Sequence, residues 1–180
     1  MRIAITGGIA EGKSTVLRML ADLGFAVASS DEFARTVFQS EDVQSELRSL
    51  LGAQEPVTRD LIRAAIQSSA EIRRSVNRIM HPRIRHLNEN SDATFFEVPL
   101  LIETCLQGKY DRVWVVTCGQ AEQERRLRVR YGPELSFEKL VATQVSARVR
   151  LAFADRIFRT NEPVDAVLQS LSAAVADTLG

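Results

Sequence analysis

The stretch Ile3-Ala4-Ile5-Thr6-Gly7-Gly8-Ile9-Ala10-Glu11-Gly12-Lys13-Ser14-Thr15 decides the fold of this chain. Gly7, Gly12, Lys13 and Ser14 fill every fixed position of the G-x-x-x-x-G-K-[ST] phosphate-loop pattern. The apolar run in front of it reads as a strand, and Val16, Leu17, Leu20 and Leu23 behind it recur at helical spacing, so the pattern stands in the context it needs. Glycine lets the backbone turn until successive N–H groups face inward, and the helix start adds unpaired donors and the positive end of its dipole. Gly8, Ile9, Ala10, Glu11, Gly12, Lys13, Ser14 and Thr15 are therefore expected to hold nucleotide phosphates. Lys13 would reach the β- and γ-phosphates and the Ser14 hydroxyl would sit on Mg²⁺. Glu11 is the irregular member: a carboxylate inside an anion-binding loop has to point away from the phosphates.

Working outward, Gly24 is the natural stop of a first helix over 13–23, and residues 25–28 read as a second buried strand. A strand, helix, strand unit of this kind is parallel and right-handed, which puts the end of the second strand on the same sheet edge as the loop. Asp31 follows it. The residue reads equally as a helix-starting carboxylate or as one facing the nucleotide site. Helices are expected over 33–51, 58–66 and 70–80, with His81-Pro82 interrupting the last and starting another. His81 reads as a helix-end polar residue or as part of a substrate pocket. The third and fourth strands are expected at 94–98 and 112–117. Glu103 lies just beyond the third, either solvated or orienting a substrate or an arginine.

Arg125, Arg126, Arg128 and Arg130 fall within one helix expected over 121–131, before a turn at Gly132-Pro133. They read as a solvated face, paired as Glu122 with Arg126 and Glu124 with Arg128, or as a lid that brings arginine to a transferring phosphate. A second lid helix over 137–152, a fifth edge strand over 154–158, Asn161 just past its end, and a closing helix over 163–179 complete the chain. The fold class expected from these elements is α/β, with five strands flanked by helices behind a phosphate loop. One domain is expected, with its core in 1–32, 92–120 and 153–180, a helical substrate subdomain at 33–91 and a lid at 121–152.

Composition narrows the partners. Lys and Arg number 23 against 23 Asp and Glu, with no basic or acidic tail to suggest nucleic acid or a membrane surface. Cys105 and Cys118 stand alone, without metal or redox spacing, as in a reducing compartment. The N-terminal apolar run is three residues long and ends in the phosphate loop, so the expectation is a cytoplasmic protein without a signal peptide. Its partners are small molecules, and nothing in the sequence gives an oligomeric state.

The ordered set Thr6-Gly7-Gly8-Ile9, Gly12-Lys13-Ser14-Thr15, Asp31-x-x-Ala34-Arg35, His81-Pro82-x-Ile84, Pro99-Leu100-Leu101-x-Glu103, Gln123-x-x-Arg126, Gln144 and Ala154-Asp155-x-Ile157 with Asn161 resembles dephospho-coenzyme A kinases along nearly the whole chain. The resemblance implies a P-loop kinase with a five-stranded parallel sheet flanked by helices, plus a helical substrate subdomain and lid, that transfers the ATP γ-phosphate to the 3′-hydroxyl of dephospho-CoA, with Mg²⁺. It implies Asp31 as catalytic base, Lys13 and Ser14 as phosphate and Mg²⁺ ligands, and Arg126 as a lid arginine. Arg35, His81 and Glu103 would line the acceptor side, with Asn161 on the nucleotide side. The chain departs from the family at Ser29, where an acid is usual, at Ala10-Glu11 in place of Gly-Ser, at Glu162 in place of glycine, and in a shortened 39–57. Two other readings stay open: a related nucleoside or nucleotide kinase, and a diverged ATP-binding protein without transfer. A GTPase is disfavoured because no Asn-Lys-x-Asp box occurs.

Overall fold

In the computed structural model, which describes all residues but Pro133, Leu135 and the side chain of Lys139, the strand that leads into the phosphate loop is the middle one of five. The expected turn at Gly132-Pro133 lies outside the described residues. The strands are β1 (Ile3–Thr6), β2 (Val27–Ser29), β3 (Phe95–Glu97), β4 (Arg112–Thr117) and β5 (Arg156–Arg159), in the order β2-β3-β1-β4-β5. β1 pairs in parallel with β3 and with β4, Ile3 standing opposite both Phe95 and Arg112, and β4 pairs in parallel with β5. β1 and β3 are buried throughout, which is why Ile3-Ala4-Ile5 and Phe95-Phe96 read as apolar runs rather than as alternation. Trp114 of β4 packs its ring 5.2 Å from Phe95 and 5.1 Å from Phe158, aromatic pairs that contribute about 1 kcal/mol each beyond area burial.

Contacts divide the chain into two compact units, one of Met1–Ala28 with Asp92–Gly180, the other of Ser29–Ser91. In the first, α1 (Lys13–Asp22) and α9 (Val164–Leu179) cover the sheet, their Val16, Leu20, Val167 and Leu171 joining Ile3, Ile5 and Trp114 in one core. Gly24 stops α1 at φ +89°, as its position predicts. α6 (Gln120–Tyr131) follows β4 and holds both foreseen ion pairs, Glu122 with Arg126 and Glu124 with Arg128. The single helix expected over 137–152 is instead two short ones, α7 (Phe137–Val141) and α8 (Ala147–Ala152), with Ser146 capping the second through Val149 N–H.

The second unit is helical: α2 (Ser30–Gln39), α3 (Glu41–Leu51), α4 (Arg59–Ser68) and α5 (Ala70–Glu89) around Val37, Val43, Leu47, Val57 and Val76. One helix was expected over 33–51. The chain breaks at Ser40, whose backbone is extended (φ −69°, ψ 144°) and whose hydroxyl donates to Val37 O, a local bond that competes with helix continuation. Gly52 (φ +63°) stops α3, and Thr58 caps α4 by accepting Leu61 N–H at 3.2 Å, both as read. The interruption expected at His81-Pro82 does not occur. α5 runs straight through Pro82, and the Arg83 guanidinium donates to Ile79 O at 2.8 Å beside the carbonyl that proline leaves without its donor. Among the described residues no helix is long and apolar enough to cross a membrane.

Candidate active site

β1 delivers the chain into the loop, and backbone contact explains its first glycine. A Cβ on Gly7 would stand 2.3 Å from Val116 O of β4, a carbonyl that cannot move without breaking the sheet. Gly12 has φ +93° and would also strike Thr160. Ala10 has φ +59°, a left-handed position that costs a residue with a Cβ on the order of 1 kcal/mol. Lys13 is buried, and its Nζ donates to Gly7 O at 3.0 Å and Gly8 O at 2.9 Å. Ser14, at the start of α1, donates its hydroxyl to Glu97 Oε1 at 3.1 Å. Glu97 ends β3, the neighbour of β1, so the sheet order itself brings this carboxylate to the loop. Among the described residues no group of three or more His, Cys, Asp or Glu gathers for a metal. The Ser14 and Glu97 oxygens are hard donors of the kind that Mg²⁺ takes beside substrate phosphates, and they fit it.

Glu11 turns its carboxylate into the protein interior. It is buried, accepts Gly8 N–H and the Thr117 hydroxyl (3.1 Å), and pairs with Arg150 at 3.4 Å. The rest of the loop backbone is held by side chains from elsewhere in the same unit. Gln144 Oε1 accepts Ile9 N–H at 3.0 Å, and Gln123 Nε2 donates to Ile9 O at 2.8 Å. The Thr160 hydroxyl donates to Glu11 O at 2.7 Å. Each nitrogen of the Arg126 guanidinium is engaged: Nε donates to Glu122 at 2.7 Å, Nη1 to Thr160 Oγ1 at 3.0 Å and Ala10 O at 3.4 Å, and Nη2 to Thr160 O at 2.6 Å. Hydrogen bonds from Arg125 and then Arg126 hold the Glu122 carboxyl down at about 2.

Glu103, half-buried, accepts Val145 N–H at 2.9 Å through Oε1, while its Oε2 is buried without a partner among the described residues. Asn161 is exposed just past β5. The remaining residues singled out by motif lie in the helical unit. Asp31 is exposed in the first turn of α2, without a hydrogen bond or ion pair among the described residues. Arg35, one turn on, pairs with Glu32 at 3.7 Å. His81 is exposed within α5 and is not part of the cleft of about 500 Å³ in that unit, whose lining includes Val37, Asp42, Arg83 and His86.

Sequence reasoning passed over Glu97, Thr160 and Arg150. Glu97 had a usable signal, a lone carboxylate in an otherwise apolar strand. Arg150 had one too: Glu11, if turned inward, needs a cation. Nothing local marks which of the many arginines supplies it.

Residues 1–165 match the sequence family of dephospho-CoA kinases. A dephospho-CoA kinase of Corynebacterium glutamicum is 33% identical over 196 residues, covering 99% of this chain and 98% of that protein. The crystal structure of TT1252 from Thermus thermophilus superposes with a TM-score of 0.83 at 26% identity, covering 100% of this chain and 98% of its own. A dephospho-CoA kinase structure from Campylobacter jejuni shares the fold, at TM-score 0.69 and 21% identity over 98% of this chain and 96% of that one. With a family match across most of its length and a phosphate loop built as that match requires, this chain belongs to the dephospho-CoA kinase family.

Proposed function

We propose that the protein transfers the γ-phosphate of ATP to the 3′-hydroxyl of dephospho-CoA, giving coenzyme A and ADP, in the cytoplasm. The observation that carries this is the cluster at the end of β1, where a buried Lys13 and the Ser14–Glu97 pair meet at the phosphate loop of a family member. The loop N–H groups beyond those of Gly8 and Ile9, together with the start of α1, bind the phosphates of ATP, and Lys13 exchanges its carbonyl partners Gly7 O and Gly8 O for phosphate oxygens. Ser14 and Glu97 hold Mg²⁺, which neutralises charge on the transferring group when bound. Arg126, anchored to Ala10 and Thr160, sets the loop from the lid side. Asp31 stands at the family's base position, and its exposed, unpartnered carboxylate is suited to accept the hydroxyl proton. Arg35, His81, Glu103 and Asn161 serve the acceptor and nucleotide in the roles that their motif positions imply.

A coupled assay with ATP, Mg²⁺ and dephospho-CoA tests the reading, run beside a panel of nucleoside and nucleotide acceptors. ADP release that depends on dephospho-CoA is expected. Release with another acceptor and none above background with dephospho-CoA would remove it. Asp31→Asn is expected to keep ATP binding and lose about 10²–10⁴ in turnover, the usual range for a proton acceptor. Asp31→Asn turning over like the parent protein would take the base role away.

A further inference from the structure

We infer that Glu11 and Arg150 are positioning residues for nucleotide binding, their buried ion pair clamping the phosphate loop to the chain at 144–150. The Arg150 and Glu11 side chains are only 4% and 3% exposed. Charges so buried cost several kcal/mol each by desolvation unless they are paired and hydrogen-bonded. Here they are: one Glu11 oxygen takes Thr117 Oγ1, the other takes Gly8 N–H and Arg150, and the second Arg150 nitrogen donates to Val145 O at 2.7 Å. The carboxylate is thus neutralised by Arg150 and takes up the Gly8 N–H, one donor of the loop.

The pair also forms one end of a continuous clamp. Val145 is gripped on both sides, by Glu103 at its N–H and by Arg150 at its carbonyl, and Gln144 next to it holds Ile9 N–H. Loop residues 8, 9 and 11 are thereby all tied to this one segment. Gly8 shows how closely: a Cβ there would meet Arg150 Nη2 at 2.7 Å, Glu11 Oε2 at 2.8 Å and Gln123 Nε2 at 2.9 Å. The direction of the loop amides therefore depends on an arginine more than 130 residues away in sequence (139 from its partner).

Charge sign separates this role from general stability. Removing Arg150 strands a negative charge inside an anion-binding loop, whereas removing Glu11 strands a positive one. Both should loosen the clamp and lower melting temperature, but only the first also repels ATP. The inference rests on the proposed use of the loop for MgATP, so the readout is MgATP binding by calorimetry with no acceptor present. Arg150→Met is expected to weaken binding about tenfold or more, as breaking a buried pair does. Glu11→Gln should weaken it less. The double variant should bind more tightly than Arg150→Met alone, since its second change removes the stranded carboxylate. Arg150→Lys should retain most of the affinity, and in turnover KM for ATP should rise while KM for dephospho-CoA does not. A folded Arg150→Met with the parent's affinity would overturn the inference, as would a double variant no tighter than it. If Arg150→Met does not fold, the comparison of the double variant with Glu11→Gln and Arg150→Lys decides: equal affinities in all three would overturn it. A parent protein that binds MgATP but leaves dephospho-CoA unphosphorylated defeats the kinase assignment alone; one that binds no MgATP defeats both.

Discussion

Cys118 follows β4 directly, and burial pushes its thiol up to about 11, helped by the carboxylates of Glu11 and Glu122 and opposed by Arg126. Cys105 is exposed. Because the thiolate is the reactive species, a colorimetric thiol reagent at about pH 8 is expected to titrate one thiol in the folded protein and both after denaturation. Two fast thiols in the folded protein would show that Cys118 is not sealed as described. Glu11 shows how far single residues were legible. That its carboxylate must turn from the phosphates followed from charge alone. That it would find Thr117 and Arg150 did not, because those partners are brought in by β-strand order and by a segment with no local signature. The sequence also left Arg126 open between a surface pair and a site residue, and it is engaged in both ways: it pairs with Glu122 and reaches the loop.

At the level of elements, α6 carries its charges in a pattern with a pH consequence. Glu122 sits in its first turn and bonds Arg125 and Arg126, so its carboxyl is held at about 2 against an ordinary 4.5. A carboxylate lowered on folding contributes stability that is whole above about pH 4.5 and is lost as pH falls toward about 2. Glu122→Gln is therefore expected to flatten the acid limb of a melting-temperature profile between those values while leaving its shape above pH 5 unchanged. An identical acid limb in the variant would remove Glu122 from that role. β1, β3 and β4 were legible to within one residue because runs buried on both faces leave an apolar stretch with clear ends, and the part-exposed β2 and edge strand β5 were legible to within two. Helix ends were less so. Ser40 breaks 33–51 by a side-chain bond to Val37 O, and Pro82 fails to break α5 because packing against α2, α3 and α4 and the bond from Arg83 outweigh a cost on the order of 3 kcal/mol. Neither outcome can be read from spacing or from proline alone.

Across the whole molecule, the two units have separate cores, one around Trp114 and the sheet, the other around Leu47. Leu47 is fully buried, so Leu47→Ala should destabilise its unit by about 2–5 kcal/mol. Hydrogen exchange read by mass spectrometry should then quicken across 29–91 while β1 and β4 keep their protection. Uniform quickening over the chain would mean that the units unfold as one. Fold class and family were legible at this scale, since an ordered set of motifs spread over the chain constrains far more than any one of them. The placement of Gly7 against Val116 O gives the loop its seat. That seat is main chain, with no rotamers to change, so the loop's origin is inherited from strand register, while its fine aim is trimmed by side chains at 123, 144, 150 and 160. Substitution can retune the trim one residue at a time. The seat tolerates no such adjustment, and this divides the chain into a part where the loop's geometry can drift and a part where it cannot.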